Sequence, residues 1–188
     1  MKIGILGGTF NPIHIGHLIL ADEVREKLSL DKVIFVPTYI PPHKQNSEVA
    51  AADQRLRMVQ AAIKGNKFFI ASDIEIKRKG PSYTVDTVKA FNKKFPGDEL
   101  YFIAGSDLLK YLDEWKDFQE LLGLMKFVVA TRPGYPLEKI PSYVQRVSIR
   151  AVDVSAFEIR QCIKESKSFR YLVPDVVFEY IIRKRLYR

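Results

Sequence analysis

Short apolar runs alternate with amphipathic segments along this chain, and the alternation constrains the fold more than any other feature. The runs that we interpret as strands are residues 3–6, 33–36, 68–71, 100–104, 127–130 and 147–152. The segments with helical periodicity between them are residues 18–28, 53–63, 84–95 and 117–125. Such alternation predicts an α/β fold, a doubly wound parallel sheet with helices on both faces. The runs are continuously apolar, as expected of strands that are buried on both sides.

The length of 188 residues and the hydrophobic share of 47% fit a single domain, residues 1–188, with a sizeable core. The C-terminal fifth has a helical pattern. Ser155 is suited to be a helix N-cap, and Pro174 to be the first residue of the last helix. Two apolar stripes should pack on the core: Ile159, Cys162 and Ile163 in the first helix, and Val177, Tyr180 and Ile181 in the second.

The N-terminal stretch indicates a ligand. The apolar run 3–6 ends at Gly7-Gly8, where bare backbone permits a close approach, and His14 and His17 precede the first amphipathic segment. A strand, a glycine turn and a helix N-terminus form an anion site, because free N–H groups and the helix dipole point at it. We therefore predict a nucleotide phosphate pocket in which the two imidazoles can meet developing charge.

The residues alone leave other interpretations of this stretch open. Glycine-rich turns of this kind also occur without any ligand. The P-loop pattern is absent, and Gly4, Gly7 and Gly8 are wrongly spaced for the dinucleotide fingerprint. His14 and His17 lack the partners that a zinc site needs, so we assign no metal-ligating residue.

The ends of other predicted strands should lie near this turn. In open α/β sheets, ligands bind at the carboxyl ends of the strands. Gly7-Gly8, Pro37, Gly105 and Thr131-Arg132 each follow a predicted strand and could converge on one rim. The segment from Pro37 to Ala52 is long and rich in polar residues and proline, which predicts a loop that is either functional, as a mobile flap, or disordered.

The charge and the cysteine content narrow the classes of partner and compartment. The net charge of +8 permits nucleic-acid binding, but no RNA- or DNA-binding motif accompanies it, and a substrate with several phosphates explains it as well. We expect no nucleic-acid partner and keep an RNA-binding module as the rival hypothesis. Apolar runs are too short to span a bilayer, and no secretory signal is apparent. Cys162 is the single cysteine, which agrees with a reducing, cytoplasmic location.

The stretch Gly8-Thr9-Phe10-Asn11-Pro12-Ile13-His14-Ile15-Gly16-His17 closely resembles the signature of the nucleotidyltransferases that carry an H-x-G-H motif. Later segments resemble the bacterial nicotinate-nucleotide adenylyltransferase branch in particular. They are Pro41-Pro42-His43-Lys44, Pro81-Ser82-Tyr83-Thr84-Val85-Asp86-Thr87, Gly105-Ser106-Asp107-Leu108-Leu109, Trp115 and Tyr171-Leu172-Val173-Pro174. The resemblance implies a Rossmann-like nucleotidyltransferase fold with a C-terminal helical segment.

The resemblance also implies the reaction. ATP would give AMP to the phosphate of nicotinate mononucleotide, yielding nicotinate adenine dinucleotide (deamido-NAD) and pyrophosphate in NAD biosynthesis. Mg²⁺ is the expected cofactor, held through ATP phosphates and water rather than by a carboxylate cage. The expected partners are these small-molecule substrates, with no membrane partner, and a homodimer is compatible with the sequence.

Site residues follow from the matched motifs. The resemblance implies catalytic roles for His14, His17 and Arg160, with Arg160 holding the outer phosphates through its planar fork. The residues that it implies for ATP binding are Gly7, Gly8, Thr9, Phe10, His14, His17, Gly105, Asp107, Ser155 and Arg160. The residues that it implies for nicotinate mononucleotide are Asn11, Lys44, Tyr83, Thr84 and Trp115.

For several of these positions the residue itself also fits a structural role. The resemblance implies that Trp115 stacks on the pyridine ring, although most tryptophans are packing residues. Asp107 could accept from a ribose hydroxyl or cap the next helix. Thr84 and the backbone near Trp115 could donate to the nicotinate carboxylate. Lys44 should meet the phosphate of the mononucleotide.

The chain departs from the family pattern near Arg160. Ala156 and Phe157 replace hydroxyl residues there, while Ser155 and Arg160 remain. Ile13 stands where the family often has a second proline. Related transferases that use nicotinamide mononucleotide or pantetheine phosphate as acceptor are the nearest alternatives, and the Ser82–Thr87 string and Trp115 argue against the second.

Overall fold

A single parallel sheet organises the computed structural model, which describes residues 1–40, 49–105, 112, 114–131, 140–150 and 152–188. Within these residues the sheet has six strands in the order β3-β2-β1-β4-β5-β6. The strands are β1 (Lys2–Gly8), β2 (Lys32–Pro37), β3 (Phe69–Ala71), β4 (Glu99–Gly105), β5 (Lys126–Thr131) and β6 (Val144–Ser148). The predicted doubly wound parallel sheet is confirmed.

Helices connect the strands and cover the sheet. They are α1 (Ile15–Leu28), α2 (Ala52–Ile63), α3 (Ile74–Arg78), α4 (Thr84–Lys94), α5 (Phe118–Leu124), α6 (Ala156–Lys164) and α7 (Asp175–Lys184), with a short 3-10 helix at Arg170–Leu172 before α7. None of the helices among the described residues is long and apolar enough to cross a membrane.

Two apolar layers sandwich the sheet, because successive side chains of each strand point to opposite faces. In β1, Ile5 packs with residues of α4 and α5, whereas Leu6 packs with residues of α1, α2, α6 and α7. The four central strands, β2, β1, β4 and β5, are therefore buried on both sides, which is why they appear in the sequence as continuous apolar runs. The edge strands β3 and β6 each have exposed residues.

The order of strands reverses at β1, and this reversal creates the crevice in which such folds bind ligands. β1 pairs with β2 on one side and with β4 on the other, all in parallel. Gly8, at the end of β1, lies opposite Pro37, at the end of β2. Gly105 ends the neighbouring β4. The predicted convergence of these strand ends on one rim is confirmed.

The predicted last strand, residues 147–152, was wrong in its bounds. β6 runs from Val144 to Ser148, and its last pair is Thr131 with Ser148. β5 also ends at Thr131, so within the described residues the pairing of these two strands ends at Ser148. Ile149 and Val154 are nevertheless buried, because the segment after β6 folds onto the α1 side of the core.

The other element predictions need smaller changes. α1 begins at Ile15, three residues before the predicted start, and α3 was not predicted. Pro174 is the N-cap of α7 instead of its first residue. Ser155 is the N-cap of α6, as predicted. The two predicted C-terminal stripes pack on the core as expected.

Candidate active site

The connection between β1 and α1 is a tightly packed turn. Phe10 adopts a left-handed backbone conformation with φ of 48°, which is strained for a bulky residue, and its side chain is buried. A Cβ at Gly8 would lie only 3.2 Å from the Phe10 ring. The same ring meets His17 edge-on, with 5.0 Å between the centroids. The Phe10 ring therefore packs against both Gly8 and the His17 ring, and it limits how the His17 imidazole can be oriented.

The two histidines form one unit at the start of α1. His14 is the N-cap residue and is only 7% exposed, while His17 is half-buried, and their ring centroids are 3.7 Å apart. The backbone N–H of His17 donates to the carbonyl of His14 at 3.0 Å. In return, the backbone N–H of His14 donates to Nδ1 of His17 at 3.2 Å. Because Nδ1 accepts this bond, a neutral His17 carries its proton on Nε2, which is then the donor nitrogen.

Gly16 is required by the packing of His14. A Cβ at this position would lie 3.1 Å from Nδ1 and 3.2 Å from Cε1 of the His14 ring. These distances are shorter than ordinary contacts between carbon and a neighbouring heavy atom. The glycine of the H-x-G-H motif therefore leaves room for the first imidazole.

The N-terminus of α1 suits an anion. The helix has 14 residues and no acidic residue in its first turn, so its dipole and first N–H groups are not already neutralised by a carboxylate. Gly7, Gly8 and Thr9 precede it and are each partly exposed. Together with the two histidines, this helix start has the properties of the predicted phosphate pocket.

Arg160 reaches the same turn from α6. One of its terminal nitrogens donates to the carbonyl of Asn11 at 3.0 Å and to that of Ala156, also at 3.0 Å. The Ser155 hydroxyl accepts from the Glu158 backbone N–H at 3.1 Å and donates to the Glu158 carboxylate at 3.0 Å. α6 thus begins with a reciprocal cap that fixes where Arg160 can reach.

Glu23 fixes the segment that leads to α6, and the sequence analysis missed it. This α1 carboxylate is 5% exposed and accepts from the side-chain Nε of Arg150 at 2.6 Å and from the Arg150 backbone N–H. Burial would raise the pKa of Glu23, but the hydrogen bonds from Arg150 and Lys27 outweigh it, so the pKa lies below its usual value. Lys27 also donates to the carbonyl of Ser148.

A second group of predicted residues lies at the start of α4. Tyr83 is the N-cap residue and Thr84 the first residue of this helix. The Lys116 ammonium lies 4.7 Å from the centroid of the Tyr83 ring. Trp115 is half-buried and meets the rings of Phe102 and Phe127 edge-on, at 5.3 Å and 6.1 Å between centroids.

Phe102 on β4 connects the two groups. Its ring contacts Trp115, and a Cβ at Gly7 would lie 3.5 Å from the same ring. The phosphate turn and the aromatic group therefore flank the same side chain. Lys44 and Asp107, which the sequence analysis assigned to the two substrates, lie outside the described residues.

Asn11 has a structural partner in this arrangement. Its side-chain oxygen accepts from the backbone N–H of Ala50 at 3.0 Å, and the residue is buried. The contact ties the turn after β1 to the residues that precede α2.

Arg55 on α2 is a further residue that sequence reasoning missed. It is 1% exposed, and its guanidinium donates to the carbonyls of Ala50, Thr9 and Thr38 at 2.8, 2.7 and 2.6 Å. Burial lowers the pKa of Arg55 below its usual value. A sequence signal did exist: Arg55 precedes Met58 and Val59 by three and four residues, which places it on the apolar face of α2.

A buried carboxyl group supports the start of α4. Glu75 of α3 accepts from the Thr87 hydroxyl at 2.6 Å, and burial raises the pKa of its carboxyl group. Ser82 also hydrogen-bonds to it, and the Ser82 hydroxyl accepts from the backbone N–H of Tyr39 at 2.9 Å. The network links the exit of β2 to the helix that begins beside Tyr83.

The donor set of the site is suited to phosphate. In the part of the chain that the structure describes, no group of three or more His, Cys, Asp or Glu side chains is arranged to hold a metal ion. The turn instead offers imidazole nitrogens, backbone N–H groups and a guanidinium, which are ligands for anions.

A glycine turn and two paired imidazoles at the switch point of such a sheet are suited to bind a nucleotide, and comparison with known proteins then shows the nucleotidyltransferase class. The model of the cytidylyltransferase-like family matches residues 5–162. Curated bacterial relatives extend the match over nearly the whole chain. The Rubrobacter xylanophilus protein is 46% identical over 198 residues, covering 100% of this chain and 92% of its own. The Desulfitobacterium hafniense (strain Y51) protein is 43% identical, covering 100% and 96%.

Both relatives carry the name "Probable nicotinate-nucleotide adenylyltransferase". The chain belongs to this family of nucleotidyltransferases. The fold agrees with a solved structure, Plasmodium falciparum nicotinic acid mononucleotide adenylyltransferase complexed with NaAD. The TM-score is 0.83 at 20% identity, and the match covers 99% of this chain and 97% of that one.

Proposed function

We propose that this protein transfers the adenylyl group of ATP to nicotinate mononucleotide, giving nicotinate adenine dinucleotide and pyrophosphate in NAD biosynthesis. The observation that carries the proposal is the His14–His17 pair at the N-terminus of α1, at the switch point of the sheet. Membership in the nicotinate-nucleotide adenylyltransferases and the aromatic group around Trp115 support the choice of acceptor.

The chemistry is an in-line displacement at phosphorus. An oxygen of the mononucleotide phosphate attacks the α-phosphorus of ATP and forms the new P–O bond. The bond from this phosphorus to the β-phosphate oxygen breaks, and pyrophosphate leaves with that electron pair. Such reactions depend on alignment and on stabilising the charge of the transferring group rather than on covalent work by the protein.

The turn after β1 provides that stabilisation. His17 presents Nε2–H as a donor because its Nδ1 accepts from the backbone of His14. His14 lies against His17. The N–H groups of Gly8, Thr9 and Phe10 line the same connection. Gly7 precedes them in β1, and Gly105 ends the neighbouring β4. Arg160, with Ser155 at the start of its helix, would bind the outer phosphates. Asp107 remains our assignment for a ribose hydroxyl.

The mononucleotide would occupy the group at the start of α4. Trp115 and Tyr83 provide aromatic faces for the pyridine ring, and Lys116 lies over Tyr83 as a positive charge. Thr84 begins α4, so its N–H and hydroxyl are suited to a nicotinate carboxylate. Lys44 is our assignment for the phosphate of the mononucleotide, and Asn11 remains an assignment for the same substrate.

Magnesium fits this donor set as an ion that accompanies the nucleotide. Its ligands would be ATP phosphate oxygens and water, while the histidines, Arg160 and the helix start bind the same phosphates from the protein side. When bound, the ion neutralises part of the phosphate charge.

We propose ATP and nicotinate mononucleotide as the small-molecule partners, in the cytoplasm, with neither nucleic acid nor membrane required. The net charge of +8 is then explained by substrates that carry several phosphates. A homodimer is a separate proposal, which sedimentation at several protein concentrations tests.

The deciding experiment measures pyrophosphate release with ATP and magnesium and compares three acceptors: nicotinate mononucleotide, nicotinamide mononucleotide and phosphopantetheine. Product masses identify what was adenylylated. We expect the nicotinate compound to be strongly preferred. Release with another acceptor would overturn the choice of substrate, but the proposed role of the two histidines in adenylyl transfer would stand. Salt-sensitive RNA binding without any pyrophosphate release would favour the RNA-binding rival.

A further inference from the structure

Arg55 makes an unusual set of contacts for a buried cation. Its Nε donates to the carbonyl of Ala50 at 2.8 Å, one terminal nitrogen to Thr9 at 2.7 Å, and the other to Thr38 at 2.6 Å and Tyr39 at 3.2 Å. Within the described part of the chain, the groups that it bonds are backbone carbonyls and not a carboxylate. The carboxyl groups of Glu75 and Asp53 are near enough to raise the pKa of Arg55, but burial outweighs them. Burying this charge is costly, and the bonds to the carbonyls offset part of that cost.

These carbonyls belong to three segments that are far apart in the sequence. Thr9 lies in the turn between β1 and α1, Thr38 and Tyr39 follow β2, and Ala50 precedes α2. Thr38 and Tyr39 on one side and Ala50 on the other lie at the two stems of the loop that the sequence predicts around Lys44. One planar guanidinium therefore fixes both stems of this loop against the phosphate turn.

The bond to Thr9 also sets the direction of a neighbouring donor. In a trans, planar peptide the C=O and the following N–H point in opposite directions. Holding the Thr9 carbonyl towards α2 therefore directs the Phe10 N–H away from α2. Phe10 has a left-handed backbone conformation, which this bond helps to hold against its strain.

We infer that Arg55 is a positioning residue for adenylyl transfer, acting through the peptide between Thr9 and Phe10 and through the two stems of the loop that carries Lys44. The inference rests on the proposed function. It assigns to Arg55 no contact with either substrate. Its expected signature is a loss of turnover in molecules that are still folded.

Two variants and a matched control test this inference. Arg55→Lys keeps the charge but cannot reach the three segments at once, and Arg55→Gln removes the charge. Arg57→Gln is the control, because Arg57 is on the same helix and exposed. For each protein we would measure the thermal midpoint, the ATP Kd without acceptor, and kcat per folded molecule at a temperature well below the midpoint.

We expect kcat per folded molecule to fall about 10- to 100-fold in both Arg55 variants, since a misplacement of about 1 Å can cost about 100-fold. The ATP Kd should rise about tenfold, and Arg55→Lys should be the less affected of the two. Arg57→Gln should match the wild type in all three measurements.

Two results would overturn the inference. One is a kcat per folded molecule in both Arg55 variants within about threefold of the control, which is too small for a displaced catalytic group. The other is failure of both variants to fold, which would assign Arg55 to stability alone. If the wild type used no acceptor, the proposed function would fail, whereas the ATP Kd comparison would still show whether Arg55 orders the phosphate turn.

Discussion

Gly16→Ala should lower the activity and leave the stability nearly unchanged. The added methyl group would contact the side chain of His14, to which we assign a catalytic role. The new Cβ would lie 3.1 Å from Nδ1 of His14, and the next atom outside the imidazole is the carbonyl of Val154 at 3.9 Å. An ordinary contact begins near 3.4 Å, so the His14 ring must move by about a third of an ångström or turn away from its preferred rotamer.

The expected change in stability is small because two terms oppose each other. Alanine is favoured over glycine in a helix interior by up to about 1 kcal/mol, and the gain is smaller at Gly16, which is the second residue of α1. An off-rotamer imidazole costs about 0.5–1.5 kcal/mol. The difference is close to zero, which for a chain of this size keeps the thermal midpoint within about 2–4 °C of the wild type.

The expected change in activity is larger than the change in stability. If a displacement of 1 Å costs about 100-fold in rate, a third of an ångström costs about fivefold. Gly123→Ala is the matched control, since Gly123 lies in α5 and a Cβ there meets nothing within 4 Å. It should leave kcat unchanged.

The assay compares kcat for pyrophosphate release and the thermal midpoint in the wild type and both variants. The chain has three histidines, so NMR of the imidazole protons can follow His14 directly. The reasoning is refuted if Gly16→Ala has the kcat of Gly123→Ala while its His14 signals have moved. It is also refuted if the His14 signals do not move at all.

Three further predictions concern other parts of the site. His17→Ala should lower kcat by on the order of 100-fold or more, as for other lost donors to developing charge, and an effect within about threefold would remove His17 from the catalytic role. Trp115→Ala should raise the KM for nicotinate mononucleotide much more than that for ATP, and equal effects would indicate packing. Glu23→Gln should lower the thermal midpoint by about 4 °C at neutral pH. The difference from the wild type should shrink as the pH falls below the usual pKa of a glutamate, because the lowered pKa of Glu23 stabilises the fold only while the group is ionised. Glu26→Gln, an exposed neighbour on α1, is the control, and a Glu23→Gln effect that does not change with pH would refute the assignment.

Most of the fold could be predicted because its signals are local. A strand buried on both faces must be apolar throughout, so the four central strands appear in the sequence as apolar runs. The edge strand β3 is apolar as well, although Ile70 is exposed. The sixth was misplaced because Ile149 and Val154 are buried without belonging to a strand. Periodicity reports burial, and it cannot report where the neighbouring strand ends.

The candidate site likewise has a part that could be predicted from the sequence and a part that could not. The glycine turn and both histidines lie within eleven residues of the sequence, so one local motif was enough to predict that they form a site. Arg55 and Glu23 act between segments that are distant in sequence. The partners of Arg55 are backbone carbonyls, which carry no residue-specific signal, and Arg150, the distant partner of Glu23, is 127 positions away. Only the position of Arg55 on the apolar face of α2 could have drawn attention to it.

The shared position of Phe102 has a thermodynamic consequence. Its ring is a common wall between the glycine turn, where we place ATP, and Trp115, where we place the mononucleotide. A shift of this ring when one substrate binds would therefore change the surface that the other meets. By linkage, the factor by which ATP changes the affinity for the mononucleotide equals the factor by which the mononucleotide changes the affinity for ATP. Substitution of Phe102 should bring both factors closer to one, so that the affinity for each substrate would depend less on whether the other is bound.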